Sequence, residues 1–310
     1  MLRGVDLAAE RNDYLVVLGP SGSGKTTLLR AIAGLVPAAK GRILIQGRDV
    51  TRLPPWERDV ALVQQIPGLL PHLTVEENIV LAAISRTGLP RSEARRRARE
   101  LAEILRIMDV LNRKPGSLSG GQLQRAAIAL ALAMEPSLLL LDEPLSHLDR
   151  PLAEELRGVL RRLHRDYGIT IVHVTHDQDE ALALATRIAI MRSGKIIAFG
   201  EAPTIYYRPP SPEAARFLGH NLVDAHLLGQ GEGVIAIPPE AIELGSGEYE
   251  ATIASVEVER GRYTMRLLVN NTVELRAYVH PLRAKRLRPG TKTRFNIDWS
   301  LTITYPAETK

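Results

Sequence analysis

A glycine-rich segment at residues 19–26 constrains the fold of this chain more than any other feature. Its sequence, Gly-Pro-Ser-Gly-Ser-Gly-Lys-Thr, matches G-x-x-x-x-G-K-[ST] at every defined position. The apolar run Tyr14–Leu18 before it predicts a buried strand, and residues 26–33 after it predict a helix. In such a strand–loop–helix unit the backbone N–H groups bind phosphates and the lysine reaches the β- and γ-oxygens. The segment therefore predicts a nucleotide-binding loop.

The alternative is a glycine-rich turn that closes a βα unit without a ligand. Such a turn has no need for Lys25 or Thr26, so we favour the phosphate loop, with the Thr26 hydroxyl as an Mg²⁺ ligand. The residues predicted to bind the nucleotide in this segment are Gly19, Pro20, Ser21, Gly22, Ser23, Gly24, Lys25, Thr26 and Thr27.

Length and composition limit the remaining possibilities. At roughly 150 residues per domain, 310 residues suggest two domains. The chain has no cysteine, which excludes disulfides, thiolate metal sites and a cysteine nucleophile. The longest apolar run, residues 126–134, is far shorter than the ~20 residues that span a bilayer, and residues 1–13 lack a signal-peptide pattern. We therefore expect a soluble, cytoplasmic protein.

The chain changes character after a proline-rich stretch at residues 207–212. Before it, short apolar runs alternate with amphipathic stretches, including helical patterns at 91–111 and 120–134, which predicts a layered α/β domain. After it, short β-rich segments are separated by turns. We expect a nucleotide-binding domain at 1–218, with a helical subdomain at about 81–135, and a small all-β domain at 222–310.

Two adjacent carboxylates, Asp142 and Glu143, follow the apolar run at 138–141. Beside a phosphate loop, Asp142 would hold Mg²⁺ through a water, and Glu143 would polarise the attacking water as a general base. The alternative, an ordinary solvated strand end, is common when such a run stands alone.

A second candidate anion site lies at the start of a predicted helix. It consists of Ser119, Gly120, Gly121 and Gln122. Adjacent glycines and a serine at a helix start can bind an anion. Because one chain already has a phosphate loop, the second site makes sense if it closes over a nucleotide held by another chain. A plain N-cap is the alternative.

Taken with Gln65, His176 and the segment 146–149, these motifs resemble in order and spacing the ATP-binding subunits of ABC transporters. The resemblance covers residues 1–218 and implies an α/β P-loop ATPase fold with an inserted helical subdomain. It also implies that Gln65 senses the γ-phosphate and Mg²⁺, that His176 contacts the γ-phosphate, and that Asp149 lies in a loop crossing a dimer interface. A buried core histidine is the alternative for His176, and suits His173 better.

The resemblance extends to the importer branch of this class. Residues 71–79 (Pro-His-Leu-Thr-Val-Glu-Glu-Asn-Ile) are similar to that branch, and the tail looks like its OB-like (TOBE-type) regulatory domain. Together they imply a homodimeric ATPase on the inner face of the cell membrane that uses ATP and Mg²⁺. Its partners would be integral-membrane permease subunits and, indirectly, a solute-binding protein.

The single compact tail favours an oxyanion such as molybdate, tungstate or sulfate as the solute, with sugar, polyamine or iron as alternatives. The alternative class is a soluble ABC-type ATPase that acts on nucleic acid or ribosomes, which a second nucleotide domain or a long coiled-coil insertion would favour. The excess of basic residues gives a net charge of +5, but residues 222–310 carry 11 basic and 11 acidic side chains. We expect no nucleic-acid partner, since binding one needs a basic groove.

One departure from the family concerns adenine. The aromatic side chain that stacks on adenine in this family lies upstream of the phosphate loop, whereas residues 1–13 contain no aromatic residue. We expect weaker ATP binding and poorer discrimination against GTP.

Overall fold

The computed structural model describes residues 2–259, 262–270, 272–284 and 287–307. The chain forms two compact units, Met1–Ala202 and Pro203–Lys310. This division lies earlier than the expected boundary at 218–222. The reason is that the intervening residues pack with the second unit: Ala215 joins a cluster with Ala236 and Tyr305, and the Tyr305 hydroxyl donates to the Pro209 carbonyl.

The first unit is built around a six-stranded sheet in the order β4-β5-β6-β1-β7-β8. Neighbouring strands are parallel except for β8, which is antiparallel to β7. A separate two-stranded ribbon pairs β2 with β3. The strands are β1 (Tyr14–Leu18), β2 (Leu44–Ile45), β3 (Arg48–Asp49), β4 (Val60–Val63), β5 (Leu138–Asp142), β6 (Thr170–Thr175), β7 (Arg187–Arg192) and β8 (Lys195–Glu201).

Helices cover this sheet, which explains the continuous apolar runs of its central strands. All five residues of β1 are buried, as are the last four of β5. A parallel strand that is buried on both faces requires apolar residues at successive positions. The helices are α1 (Lys25–Ile32), α2 (Val75–Thr87), α3 (Arg91–Ile104), α4 (Gly120–Ala133), α5 (Arg150–Tyr167) and α6 (Gln178–Leu184). The predicted α/β fold is confirmed.

Three of these helices, α2, α3 and α4, contact one another and form the helical part of the unit. Thr74 begins α2 with a capping box, accepting from the Glu77 amide while the Glu77 carboxylate accepts from the Thr74 amide. The predicted helix at 91–111 is shorter in the structure. It ends at Ile104 because Arg106 takes a left-handed conformation (φ 56°), and the Ile107 amide then bonds back to the Ala102 carbonyl.

The second unit contains two antiparallel sheets, ordered β13-β12-β11-β14 and β15-β10-β9. The strands are β9 (Asn221–Asp224), β10 (Val234–Ile237), β11 (Ile242–Glu259), β12 (Arg262–Val269), β13 (Val273–Val279), β14 (Lys292–Ile297) and β15 (Ile303–Tyr305). The short helices are α7 (Ala202–Tyr207), which starts at the boundary, α8 (Pro212–Phe217) and α9 (Pro281–Ala284). One core that includes Ile253, Met265 and Phe295 draws on both sheets. The small all-β domain is confirmed.

A helix that crosses a bilayer must be both long and apolar. Among the described residues, no helix meets both requirements for crossing a membrane.

Candidate nucleotide-binding site

The site lies at the carboxyl ends of four neighbouring parallel strands, β4, β5, β6 and β1. Each of these strands is followed directly or within two residues by a predicted site residue: Gln65, Glu143, His176 and Gly19. Open parallel sheets bind their ligands in the crevice outside these strand ends. The strand order therefore gathers residues that are far apart in the sequence.

The phosphate loop has a backbone that favours glycine at several positions. Gly22 and Gly24 have φ values of 77° and 108°, in the left-handed region. At Gly19 a β-carbon would stand 2.2 Å from the Met191 carbonyl oxygen. The loop is therefore held against β7, and its chain enters α1 at Lys25 with Thr26 and Thr27 in the first turn.

Lys25 is buried and points back into the loop. Its Nζ donates to the carbonyls of Gly19 (2.9 Å) and Pro20 (3.1 Å) and lies 4.0 Å from Glu143 Oε1. Burial lowers the pKa of Lys25, against the opposing effect of the nearby carboxylates. The Ser23 hydroxyl is also buried, and it has no hydrogen-bond partner among the described residues. A phosphate oxygen would accept hydrogen bonds from the Ser23 hydroxyl and from the Lys25 ammonium group.

Thr26 and Asp142 form the candidate metal site. The Thr26 hydroxyl donates to Asp142 Oδ1 at 2.9 Å, and Asp142 is buried at the end of β5. Burial raises the pKa of Asp142, with the Thr26 hydrogen bond acting in the opposite direction. Among the described residues no group of three or more His, Asp or Glu side chains could hold a metal by itself. One hydroxyl and one carboxylate fit Mg²⁺, which takes oxygen ligands and completes its shell with water and substrate phosphates.

Glu143 takes an unusual backbone conformation directly after β5. Its φ is 46°, in the left-handed region, and its amide donates to the Val174 carbonyl of β6 at 3.0 Å. The His176 Nδ1 atom lies 3.2 Å from Glu143 Oε2, and the His176 side chain is half exposed. The structure thus brings Glu143 and His176 together, with Lys25 at the opposite oxygen of the carboxylate.

Gln65 joins this group through Ser146, a residue that was not among the predicted site residues. The Gln65 amide donates to Ser146 Oγ at 3.3 Å, and the Ser146 hydroxyl donates to the Glu143 carbonyl at 2.9 Å. The signal for Ser146 was its place in the motif at 146–149. Its hydroxyl connects the loop after β4 with the loop after β5.

The segment 119–122 has a local role within the chain. Ser119 begins α4 with a capping box, accepting from the Gln122 amide at 3.3 Å while the Gln122 side chain accepts from the Ser119 amide. Asp149 caps α5 in a similar way, by accepting from the Leu152 amide. In the part of the chain that the structure describes, we find no hydrogen bond or ion pair between 119–122 and the phosphate loop. Ser119 and Gly120 are exposed, and a β-carbon on Gly121 would contact Leu152 at 3.2 Å.

Tyr14 is the aromatic residue nearest in sequence before the phosphate loop. It is fully buried, and its hydroxyl lies 3.1 Å from His173 Nδ1. Tyr14 is therefore a core residue that cannot stack on adenine.

Comparison with known proteins agrees with this geometry. The model of the ABC transporter family matches residues 2–146. The molybdate/tungstate import ATP-binding protein WtpC of Thermococcus kodakarensis is 36% identical over 311 residues, which cover 98% of this chain and 93% of that protein. The spermidine/putrescine import ATP-binding protein PotA of Acidothermus cellulolyticus is 46% identical over 231 residues, covering 74% and 60% respectively.

A solved structure shows the same fold. It is a dimeric ATP-binding cassette in a post-hydrolysis state, bound to ADP and Pi. The two chains are 33% identical with a TM-score of 0.60, over 65% of this chain and 90% of that one. The phosphate loop, the carboxylates at the end of β5 and the similarity over nearly the whole chain all indicate the same family. This chain belongs to the ABC transporter family, as an ATP-hydrolysing subunit of an importer.

Proposed function

We propose that this subunit drives uptake of an oxyanion such as molybdate or tungstate. The observation that carries the proposal is the similarity to a molybdate/tungstate import protein over 98% of this chain, which includes the all-β unit. Similarity to the polyamine import protein is higher in identity but reaches only 74% of this chain. Polyamine import is the second candidate for that reason.

In the proposed mechanism the residues at the strand ends act on bound ATP. Lys25 would exchange its two carbonyl partners for phosphate oxygens, while Thr26 and Gln65 would hold Mg²⁺ and Asp142 would hold it through a water. Bound Mg²⁺ supplies positive charge that neutralises the phosphates. Glu143 orients and polarises the attacking water, and His176 contacts the γ-phosphate. Catalysis is then mostly positioning and charge neutralisation.

The proposed working unit is a homodimer. Ser119, Gly120, Gly121 and Gln122 of one chain would close over the nucleotide held by the phosphate loop of the other. The exposure of Ser119 and Gly120 supports this proposal, as does the dimeric state of the similar cassette bound to ADP and Pi. Asp149, at the exposed start of α5, would belong to the same interface.

The proposed location is the inner face of the cell membrane, beneath permease subunits that receive solute from a solute-binding protein. Two apolar side chains that follow Gln65 support a protein contact there: Ile66 is 78% exposed and Leu70 is 41% exposed. Exposed apolar groups next to a functional loop are typical of a binding surface.

The experiment is to purify the subunit with its membrane partner and reconstitute the complex in liposomes. ATP hydrolysis is measured with the solute-binding protein loaded with molybdate, tungstate, sulfate or spermidine. We expect molybdate or tungstate to stimulate hydrolysis most. Stimulation by spermidine alone would assign the chain to polyamine import instead.

A further inference from the structure

A buried polar cluster lies behind the nucleotide site, beyond the residues assigned above. The His173 cluster consists of Tyr14 on β1, His173 and Thr175 on β6, and Glu180 on α6. Each of the four is at most 4% exposed. Burying polar groups in an apolar core costs free energy unless they are paired, so such a cluster needs a compensating role.

The side chains of the cluster form a continuous series of contacts that runs from Tyr14 through His173 and Glu180 to Thr175. The Tyr14 hydroxyl lies 3.1 Å from His173 Nδ1, and His173 Nε2 lies 3.0 Å from Glu180 Oε1. The Thr175 hydroxyl donates to Glu180 Oε2 at 2.6 Å. Burial by itself would raise the pKa of Glu180, but the nearby His173 and the Thr175 hydroxyl lower it. Glu180 Oε2 is thus held by a hydrogen bond, whereas Oε1 and His173 Nε2 lie within ion-pair distance without hydrogen-bond geometry.

The end of β6 connects this cluster with the nucleotide site. The Thr175 carbonyl accepts from the Gly19 amide of the phosphate loop at 3.3 Å, and the Val174 carbonyl accepts from the Glu143 amide at 3.0 Å. The next residue is His176, whose ring lies against Glu143. The backbone of β6 thus anchors Gly19 and Glu143 by main-chain hydrogen bonds, whereas the orientation of His176 depends on the residues on either side of it.

The chain on the other side of His176 is anchored to the same cluster. The Asp177 amide donates to the Thr175 hydroxyl at 3.1 Å. The Asp177 carboxylate accepts from the amides of Asp179 (2.8 Å) and Glu180 (3.2 Å) at the start of α6. His176 thus lies between Thr175, whose hydroxyl donates to Glu180, and Asp177, whose amide donates to that same hydroxyl.

We propose that Thr175 and Glu180 are positioning residues that hold His176 at the γ-phosphate. Both side chains are buried, so neither is placed to act as a ligand of the nucleotide. They act through the loop that carries His176, with His173 and Tyr14 supporting Glu180 from the core. The proposal rests on the role proposed above for His176.

The test separates positioning from a general contribution to folding. Thr175→Val and Glu180→Gln remove the hydroxyl and the charge with little change in shape, and Thr175→Ser keeps the hydroxyl. Glu103→Gln, at an exposed carboxylate of α3, is the matched control. For each full-length variant we measure kcat at saturating MgATP, the Kd for ATP, and hydrogen exchange of residues 176–180.

We expect Thr175→Val and Glu180→Gln to lower kcat by about 10- to 100-fold, because small displacements of reacting groups have effects of this size. The Kd for ATP should change by less than about threefold, since the phosphate loop remains. Hydrogen exchange should accelerate at 176–180 and not in β5. Thr175→Ser and the control should behave like the wild type.

Wild-type kcat in folded Thr175→Val and Glu180→Gln would overturn the proposal, and so would a parallel loss of ATP binding. Should these two variants not fold, Glu180→Asp decides: it keeps the charge but is one methylene too short to reach its partners. Wild-type kcat in Glu180→Asp would then overturn the proposal. His176→Ala is assayed in parallel. Wild-type turnover there refutes the role of His176, whereas an inactive His176→Ala beside active Thr175 and Glu180 variants refutes only the positioning.

Discussion

The His176 Nδ1 atom lies 3.2 Å from Oε2 of Glu143, while the Nζ atom of Lys25 lies 4.0 Å from the other oxygen of the same carboxylate. Glu143 is thus held from two sides, by a strand-end histidine and by the phosphate-loop lysine. Its backbone, with φ at 46°, directs the side chain into this position. The arrangement links the residue proposed to orient water with two residues proposed to contact phosphate.

The first prediction concerns Glu143→Gln. The amide keeps the size of the side chain but cannot act as a base, so hydrolysis should fall by at least about 100-fold while MgATP binding persists. The measurements are phosphate release and the Kd for MgATP. Hydrolysis at the wild-type rate in this variant would contradict the assignment of Glu143.

The second prediction concerns the dimer. If residues 119–122 close over the partner's nucleotide, the Glu143→Gln protein should form dimers in ATP and dissociate in ADP, as measured by light scattering. Ser119→Arg should prevent the dimer by placing a bulky charge at the interface. Ser117→Arg, two residues earlier and also exposed, is the control and should not prevent it. A Ser119→Arg variant that dimerises normally would argue against a site shared between chains.

The third prediction concerns Asp142 and pH. Burial raises the pKa of Asp142 in the folded state, so its charged form opposes folding above that pKa. Asp142→Asn keeps an acceptor for Thr26 and removes the charge, so the variant should be more stable than the wild type at pH 7.5. The difference should vanish at low pH, where Asp142 is protonated in both the folded and unfolded states.

The measurement for Asp142→Asn is thermal unfolding of the variant and the wild type, without nucleotide or Mg²⁺, from low pH up to pH 7.5. Hydrolysis of MgATP should be lost in the same variant, because the carboxylate that would hold Mg²⁺ through a water is gone. A variant less stable than the wild type at pH 7.5 would show that the charge is compensated in the fold.

The fourth prediction concerns Asn78, which is buried on α2 and holds the loop that follows Gln65. Its side chain accepts from the Leu70 amide and donates to the carbonyls of Leu70 and Thr74. Asn78→Ala should lower the free energy of unfolding by about 1–3 kcal/mol, because these partly buried backbone groups lose their partner. It should also reduce permease-stimulated hydrolysis more than basal hydrolysis.

Denaturant unfolding and ATPase assays with and without the permease test the Asn78 prediction. Ser85→Ala, on an exposed position of the same helix, is the control. Equal loss of basal and stimulated hydrolysis in Asn78→Ala would mean that the loop has no particular role in coupling.

Much of the fold was predictable because its signals are local. The strand Tyr14–Leu18 and the helix after the phosphate loop follow from a buried apolar run and from glycines that reach left-handed φ values. Helix ends were harder to predict. The end of α3 at Ile104 depends on the backbone of Arg106, which no periodic pattern reveals.

The sequence by itself determined the chemical groups: the lysine and hydroxyl of the phosphate loop, the paired carboxylates after β5, and the glutamine and histidine that resemble the family. Only the tertiary structure decided that these groups meet. The order β4-β5-β6-β1 places Gln65, Glu143, His176 and Gly19 at adjacent strand ends, although they are separated by dozens of residues. It also created the His173 cluster, because pairing of β1 with β6 brings Tyr14 to His173. Strand pairing arises from burial of surfaces that are distant in sequence, so no local pattern encodes it.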